Sequence, residues 1–227
     1  MKWYENAVMY HIYPLGFCGA PKHNEGGEPV NRLEKVLDWI PHLKELGVDA
    51  VYFGPVFESV EHGYDTTDYR VIDRRLGTNE MFAHICDELH KNGIRVILDG
   101  VFNHTGSNSR YFNAEGFYPE LGAAQSQDSL YFDWYSFHPW PTDYDAWWGV
   151  RTLPAVNEEA PTYRDFIVRS QDSVVRHWLR QGADGWRLDV ADELPDDFIA
   201  EIRQAMEAEK PDSFLLGEVW EDATTKI

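Results

Sequence analysis

Two acidic residues close two consecutive apolar runs of this sequence. Asp189 stands in GWRLDVADE (185–193), and Glu218 stands in FLLGEVW (214–220). A buried carboxylate is costly to keep charged unless it is paired or hydrogen-bonded, so packing alone does not explain either acid. Side chains alternate along a strand, so Arg187 shares a face with Asp189 and is predicted to keep it ionised. Glu218 lies in an apolar wall with less cationic help, which predicts a raised pKa.

A charged carboxylate beside a protonated one is the pairing that a retaining glycosidase uses as nucleophile and general acid. Adjacent parallel strands lie about 4.8 Å apart, which suits the roughly 5–5.5 Å between the two carboxyl groups of such an enzyme. The alternative is that Arg187 and Asp189 form a structural ion pair and that Glu218 caps a loop. These residues alone leave both interpretations open.

A third polar group follows another apolar run, in DGVFNH (99–104). Asp99, Asn103 and His104 could form a cradle for hydroxyl groups, with Asp99 available to pair with Arg187. One His, one Asp and one Asn lack the spaced ligands of a zinc site. A hard cation such as calcium, bound through the Asn103 oxygen, is the alternative.

The elements that position these residues repeat as helix, glycine and strand. Five apolar runs at 8–14, 50–55, 94–102, 185–190 and 214–220 alternate with four helical patterns at 31–46, 81–92, 165–181 and 196–210. This order is typical of parallel βαβ units. A doubly wound sheet and a barrel both satisfy it, but no G-x-G-x-x-G follows the first strand. Acids at the carboxyl ends of strands favour the barrel, whose active sites lie on that face.

We therefore predict an α/β fold: a (β/α)8 TIM-type barrel of which residues 1–227 contain the first five strands and four helices. The connection 105–164 between the third strand and the third helix far exceeds the ~12–15 residues of an ordinary loop. It is rich in aromatic residues, and we interpret it as an inserted subdomain over the carboxyl face. Most of its rings would form the insert's own core; the others would face the cleft and suit sugar rings.

Composition limits the partners. The chain has 39 acidic and 20 basic residues, a formal charge of −19. Such a field repels nucleic acid and anionic lipid, so the sequence predicts a small-molecule substrate, no nucleic acid and no membrane. No signal peptide or apolar span is visible, which favours a cytoplasmic protein, although a mature exported enzyme would look the same.

The segments DGVFNH, GWRLDVADE and GEVW, in this order, resemble the α-amylase family of glycoside hydrolases, and 61–78 is similar to its second-strand segment. The resemblance implies a retaining enzyme that acts on α-glucans, maltooligosaccharides or cyclodextrins and requires no cofactor. It also implies roles for individual residues: Asp189 as nucleophile, Glu218 as general acid/base, Arg187 as the family's invariant arginine, His104 as a hydrogen-bond partner of the sugar, Tyr64 as a stacking ring for that sugar, and Asn103 as a candidate calcium ligand.

Finer specificity rests on Glu193 and LPAVN (153–157), which resemble the neopullulanase, cyclomaltodextrinase and maltogenic amylase branch. Glu193 is accordingly a predicted substrate-binding residue; the alternative is a solvated acid at a helix start. A general α-glucan hydrolase, a transglycosylase such as a trehalose-forming isomerase, and a non-catalytic sugar-binding relative stay open as functions.

The resemblance also implies three further strands and another aspartate beyond Glu218, whereas only WEDATTKI (220–227) follows the last apolar run. We expect a fragment in which this tail adds no helix or strand. Its first and fifth strands would be open edges that favour self-association. Residues 1–227 alone would then hydrolyse little glucan.

Overall fold

A computed structural model of the protein describes residues 2–222. Seven strands lie within this range: β1 (Met9–Ile12), β2 (Ala50–Phe53), β3 (Phe57–Ser59), β4 (Thr66–Ile72), β5 (Arg95–Gly100), β6 (Gly185–Leu188) and β7 (Phe214–Gly217). Five of them form one sheet in the order β1-β2-β5-β6-β7, and every neighbouring pair is parallel. The predicted parallel sheet is therefore confirmed.

Helices separate the strands of this sheet. Their bounds are α1 (Pro14–Phe17), α2 (Lys35–Glu45), α3 (Asn79–Lys91), α4 (Pro161–Arg164), α5 (Val174–Arg180) and α6 (Asp196–Glu209). Helix α3 shows why these segments are helical: the Thr78 hydroxyl accepts a hydrogen bond from the Met81 N–H at 3.2 Å and caps the first turn. The buried residues of α3 recur at helical spacing, as expected of a helix with one face on a core: Phe82, Ile85, Cys86 and Leu89.

The predicted continuous helix at 165–181 is wrong. Helix α4 runs into a π-helical turn, Asp165–Arg169, and the chain then leaves the helix before α5 begins. Ser170 has extended backbone angles, and the Ser173 hydroxyl caps α5 by accepting from the Arg176 N–H. Serine hydroxyls bind local backbone donors, so they compete with helix continuation and favour a new helix start.

Strands β3 and β4 form a separate antiparallel hairpin that strand periodicity did not predict. The buried guanidinium of Arg75 anchors the region. Its Nη2 lies 2.6 Å from the Asp73 carboxylate, and its Nη1 donates to the carbonyl oxygens of Pro21, Lys22 and Glu61. One side chain thus ties the hairpin to the loop that follows α1.

The connection between β5 and α4 contains short 3-10 turns and isolated bridges. Many of its aromatic rings pack on one another: the Phe112 ring lies 4.9 Å from Tyr135 and 4.6 Å from Tyr144. These rings form a local core, as the sequence favoured for most of them. Whether 105–164 is a subdomain of its own stays a prediction.

No helix in the part of the chain that the structure describes is long and apolar enough to cross a membrane. The expectation that WEDATTKI adds no helix or strand falls largely on residues 223–227, which lie outside the described residues.

Candidate active site

Arg187 joins three carboxylates at the carboxyl edge of the sheet. Its Nη1 lies 2.8 Å from Asp99 Oδ1 and 2.8 Å from Asp189 Oδ1. Its Nη2 lies 2.8 Å from Glu218 Oε2. Four of the residues selected from the sequence are therefore in direct contact, and the predicted pairing of Asp99 with Arg187 is confirmed.

Strand register explains this cluster. In the parallel pair β5–β6, Asp99 is the direct partner of Arg187. Asp189 follows the last residue of β6, and Glu218 follows the last residue of β7. Because parallel strands end at the same edge of a sheet, side chains from three strands meet over that edge.

The charge balance of the cluster differs from the prediction. Burial raises the pKa of Asp189 to about 7, and the neighbouring Asp99 charge adds to this effect. Burial also raises the pKa of Asp99 to about 6. Arg187 lowers the pKa of Asp189, in the predicted direction, but one guanidinium is shared among three carboxylates and does not offset the desolvation of Asp189.

Glu218 also has different surroundings from those predicted. It has strong cationic help from Arg187, and its side chain is 31% exposed rather than enclosed in an apolar wall. Its Oε2 also accepts a hydrogen bond of 3.1 Å from the Val190 backbone N–H. These two donors hold one carboxylate oxygen in place.

Val190 is a residue that sequence reasoning missed. It has left-handed backbone angles, φ 41° and ψ 50°, which are a genuine outlier for a β-branched side chain. The left-handed turn brings the Val190 N–H to the Glu218 carboxylate and the Ala191 N–H to the Glu218 carbonyl oxygen at 2.9 Å. A valine predicts extended strand, so its residue type carried no signal of this turn.

A cavity of about 410 Å³ opens above the two acids. Its lining combines the predicted residues Tyr64, His104, Asp189 and Glu218 with the unpredicted His62, Trp147, Val150, Leu153, Val190 and Trp220. Aromatic density in YDAWW (144–148) was the signal for Trp147. The cavity therefore has acids at its base and flat rings in its walls.

His104 is neutral at physiological pH, since burial lowers its pKa to about 4. Its Nδ1 lies 3.3 Å from Asn103 Oδ1. Its Nε2 is buried and makes no hydrogen bond with the residues described here. The His104 ring lines the cavity although its Nε2 atom is buried, and a neutral imidazole nitrogen can form a hydrogen bond with a hydroxyl group.

Four predicted residues lie outside the cavity lining: Asp99 and Arg187, which belong to the carboxylate cluster, and Glu193 and Asn103. Glu193 Oε1 accepts a hydrogen bond of 2.8 Å from the Trp148 indole Nε1. The side-chain oxygen of Asn103 faces His104. Within residues 2–222, no group of three or more His, Cys, Asp or Glu side chains could hold a metal ion. Calcium also takes Asn side-chain and backbone oxygens as ligands, and calcium binding through Asn103 stays a prediction.

The profile of the family described as "Alpha amylase, catalytic domain" matches residues 11–227. An amylopullulanase from Thermoanaerobacter thermohydrosulfuricus is 39% identical, over 99% of this chain and 19% of its own length. A maltogenic alpha-amylase from Bacillus acidopullulyticus is 34% identical, over 98% of this chain and 40% of its own length. A debranching enzyme from Nostoc punctiforme has a solved structure that is 30% identical and gives a TM-score of 0.80, covering 98% of this chain and 50% of that chain.

The chain thus spans 40% or less of the length of these two curated relatives. The matched region nevertheless includes every strand end that contributes to the carboxylate cluster and the cavity. On this match, the chain belongs to the α-amylase family of glycoside hydrolases, within its catalytic domain.

Proposed function

We propose that this chain carries the catalytic centre of a retaining glycoside hydrolase that acts on α-glucosidic bonds of α-glucans, maltooligosaccharides or cyclodextrins. The observation that carries the proposal is the contact of a single guanidinium, Arg187, with Asp99, Asp189 and Glu218 beneath a ring-lined cavity. The names of the relatives, among them a maltogenic alpha-amylase and an amylopullulanase, support α-glucan substrates.

In this mechanism the ionised Asp189 carboxylate attacks the anomeric carbon, while Glu218 gives its proton to the departing glycosidic oxygen. The first step breaks the glycosidic bond and forms a glycosyl ester with Asp189. Glu218, now ionised, then takes a proton from water as the water oxygen attacks the same carbon and releases Asp189. We expect the two carboxyl groups to lie about 5–5.5 Å apart, as in retaining enzymes.

Sugar recognition falls to the walls of the cavity. His104 is neutral and lines the cavity, in line with the hydrogen bond to the sugar that the family resemblance implies. The Tyr64 ring offers an apolar face to the sugar that is cleaved, in line with the role implied by the family resemblance. Asp99 accepts a hydrogen bond from Arg187, and Arg187 in turn contacts both Asp189 and Glu218.

The architecture we propose for the whole protein is a closed (β/α)8 barrel with 105–164 as an inserted subdomain. Within residues 2–222, β1 and β7 form the two edges of the sheet. Unpaired strand edges pair readily with other chains, so self-association of residues 1–227 and little hydrolysis by them alone stay our expectations.

Two substitutions test the catalytic roles in the full-length gene product. Asp189→Asn should abolish the glycosyl-enzyme, seen by mass spectrometry with a slow fluorinated glycoside. Glu218→Gln should spare substrates with good leaving groups more than maltooligosaccharides, because a good leaving group needs no proton. Asp172→Asn, at an 83% exposed side chain, is the matched control for charge. Equal losses on both substrate classes in Glu218→Gln would contradict the roles.

The products separate this proposal from its alternatives. A hydrolase releases one reducing end for each bond cleaved in maltooligosaccharide, cyclodextrin or pullulan. A transglycosylase or trehalose-forming isomerase converts the same substrates with little or no gain in reducing ends. A non-catalytic relative would bind sugar and convert none of it.

A further inference from the structure

Tyr52 contacts two members of the carboxylate cluster. Its hydroxyl donates a hydrogen bond to Asp99 Oδ2, and the centre of its ring lies 5.9 Å from the guanidinium carbon of Arg187. Neither contact was predicted from the sequence, in which Tyr52 stands in the apolar run AVYFGP (50–55). One aromatic side chain therefore contacts both the cation of the cluster and Asp99, the carboxylate with no exposed surface.

Strand register places Tyr52 at this position. Tyr52 is the direct partner of Ile97 in the parallel pair β2–β5, and Asp99 follows Ile97 by two positions, on the same face of β5. On its other side, Tyr52 is the partner of His11 on β1. The His11 and Tyr52 rings stack with centroids 4.3 Å apart and an angle of 14° between the planes. Two neighbouring strands thus hold the ring that carries the hydroxyl.

The two oxygens of Asp99 have different donors. Oδ1 accepts from Arg187 Nη1 at 2.8 Å, and Oδ2 accepts from the Tyr52 hydroxyl. Burial raises the pKa of Asp99 to about 6, whereas Arg187 and the Tyr52 hydrogen bond lower it. A hydrogen bond donated to a carboxylate favours its charged form, so Asp99 would be harder to ionise without the Tyr52 hydroxyl.

Asp99 and Asp189 compete for negative charge. Both accept from the same Arg187 nitrogen. Burial is the largest cause of the raised pKa of Asp189, and the negative charge of Asp99 is the second. Charge on one aspartate therefore disfavours charge on the other. A hydroxyl that stabilises the charge of Asp99 consequently shifts the ionisation of Asp189 to higher pH.

The other ionisable groups around the two aspartates do not replace Tyr52 in this role. They are Arg187, Glu218, Tyr64 and His11. Burial, and to a smaller extent Arg187, lowers the pKa of His11, so its imidazole adds no second cation at pH 7. Burial raises the pKa of the Tyr64 hydroxyl, which stays neutral. Burial and Asp99 likewise raise the pKa of Tyr52, which therefore remains a hydrogen-bond donor.

We propose that Tyr52 is a positioning residue of the catalytic centre: through its hydrogen bond to Asp99, made from a ring that His11 holds in place, it directs negative charge to Asp99 instead of Asp189. The inference rests on the proposed function and adds a determinant of the pH at which Asp189 becomes an ionised nucleophile.

The test uses Tyr52→Phe in the full-length gene product, because phenylalanine removes the hydroxyl and keeps the ring that stacks on His11. The measurement is kcat/KM for nitrophenyl α-maltoside from about pH 4 to 9. A hydrogen bond to an ion is worth about one to two pKa units, and part of this effect reaches Asp189 through Asp99. The acidic limb should therefore move down by about half to one pH unit.

Tyr10→Phe is the matched control. Tyr10 precedes His11 in β1, so its side chain lies on the opposite face of the strand. There its ring packs edge to face on His42 of α2. This variant loses a hydroxyl from the same sheet and should leave the acidic limb in place. Urea denaturation of each variant shows whether it is folded.

The Asp99→Asn background tests the route of the effect. Asparagine at position 99 has no charge for the hydroxyl to stabilise, so adding Tyr52→Phe to Asp99→Asn should move the limb by about 0.2 pH unit or less. His11 supplies another arm: His11→Ala removes the stacked ring and should move the limb in the same direction as Tyr52→Phe. His11→Phe, which restores a ring, should return the limb toward its wild-type position.

The outcomes are distinct. A limb that stays in place or moves up in a folded Tyr52→Phe variant overturns the inference, as does an equal loss of kcat/KM at every pH, which marks a purely structural contact. An equal shift with and without Asp99→Asn overturns the route through Asp99. In all these cases hydrolysis by the wild type leaves the proposed function standing. A wild type that hydrolyses no α-glucoside overturns the proposed function, and the inference falls with it.

Discussion

Replacing Asp99 with asparagine should extend activity to lower pH. Asp99 and Asp189 each place an oxygen 2.8 Å from the same Arg187 nitrogen, so these oxygens are at most about 5.6 Å apart, twice that length. The negative charge of Asp99 is the second-largest cause, after burial, of the raised Asp189 pKa of about 7. Asparagine removes that charge and keeps the shape of the side chain.

The size of the shift follows from Coulomb's law. Two unit charges about 5.6 Å apart at an effective dielectric constant of about 20 repel by about 3 kcal/mol, equivalent to about two pKa units. Arg187 lies between the two carboxylates and screens part of this repulsion. We therefore expect the Asp189 pKa to fall by about one to two units in Asp99→Asn.

The sign of the effect follows from the proposed role of Asp189 as the nucleophile. A nucleophile must be ionised, so a lower pKa lets the reaction proceed at lower pH. The acidic limb of kcat/KM, measured from about pH 4 to 9 in the full-length gene product, should move down by the same one to two units. Nitrophenyl α-maltoside is the substrate of choice, because its leaving group does not depend on the acid. The pKa read from this acidic limb belongs to the interacting carboxylates together and not to Asp189 alone.

The contacts of Asp99 indicate that the Asp99→Asn variant should still fold. Its Oδ2 accepts from the Tyr52 hydroxyl, and its Oδ1 accepts from Arg187. An amide can keep its oxygen on Arg187 and donate to the Tyr52 oxygen. Asp172→Asn makes the same change of charge at an exposed site and should leave the limb in place. An acidic limb in Asp99→Asn that stays where it is, or moves up, would refute the reasoning.

Three further predictions concern stability, each measured by urea denaturation. Burial raises the pKa of Glu158 to about 8, and its Oε1 has no hydrogen bond within the described residues. Between about pH 4.5 and 8 this carboxyl group is protonated in the folded protein and ionised in the unfolded chain. Unfolding therefore releases a proton, and the free energy of unfolding falls as the pH rises through this range. Glu158→Gln should remove this slope and add roughly 2–4 kcal/mol at pH 9; a slope that persists would contradict it. Arg75→Met should lower the free energy of unfolding by about 3–5 kcal/mol, because it leaves the buried Asp73 carboxylate without its cation. The control Arg151→Met, at an exposed ion pair, should lower it by about 1 kcal/mol or less. Equal losses in the two variants would contradict the anchoring role of Arg75. Gly185→Ala should cost about 3 kcal/mol or more, because its Cβ would lie 2.1 Å from the Phe214 carbonyl oxygen; a loss below about 1 kcal/mol would show that β6 and β7 are not so close.

Local patterns predicted the parts of this protein that depend on neighbouring residues. Alternation along β6 placed Arg187 and Asp189 on one face, and the structure joins them at 2.8 Å. The repeated order of helix, glycine and strand predicted a parallel sheet. The helix at α3 was predicted from its apolar spacing. These features follow from side-chain periodicity and turn chemistry, which a single segment carries by itself.

Other features depend on residues that are far apart in the chain. Arg187 and Asp99 are separated by 88 positions and meet only because β5 and β6 pair in one register. Strand β7 pairs beside β6 in the same sheet and brings Glu218 to Arg187, a contact that the sequence analysis did not predict. Desolvation by the assembled core then raised the pKa of Asp189, although a cation lies next to it.

The sequence by itself therefore determined which residues stand at the carboxyl ends of the strands, since strand alternation and strand order are local properties. The tertiary structure alone decided how one guanidinium is divided among three carboxylates, which of them is desolvated, and where the left-handed turns at Val190 and Trp148 direct a backbone N–H and an indole ring. Such strained turns persist only because the surrounding contacts hold them, and those contacts come from other strands and from the long connection after β5.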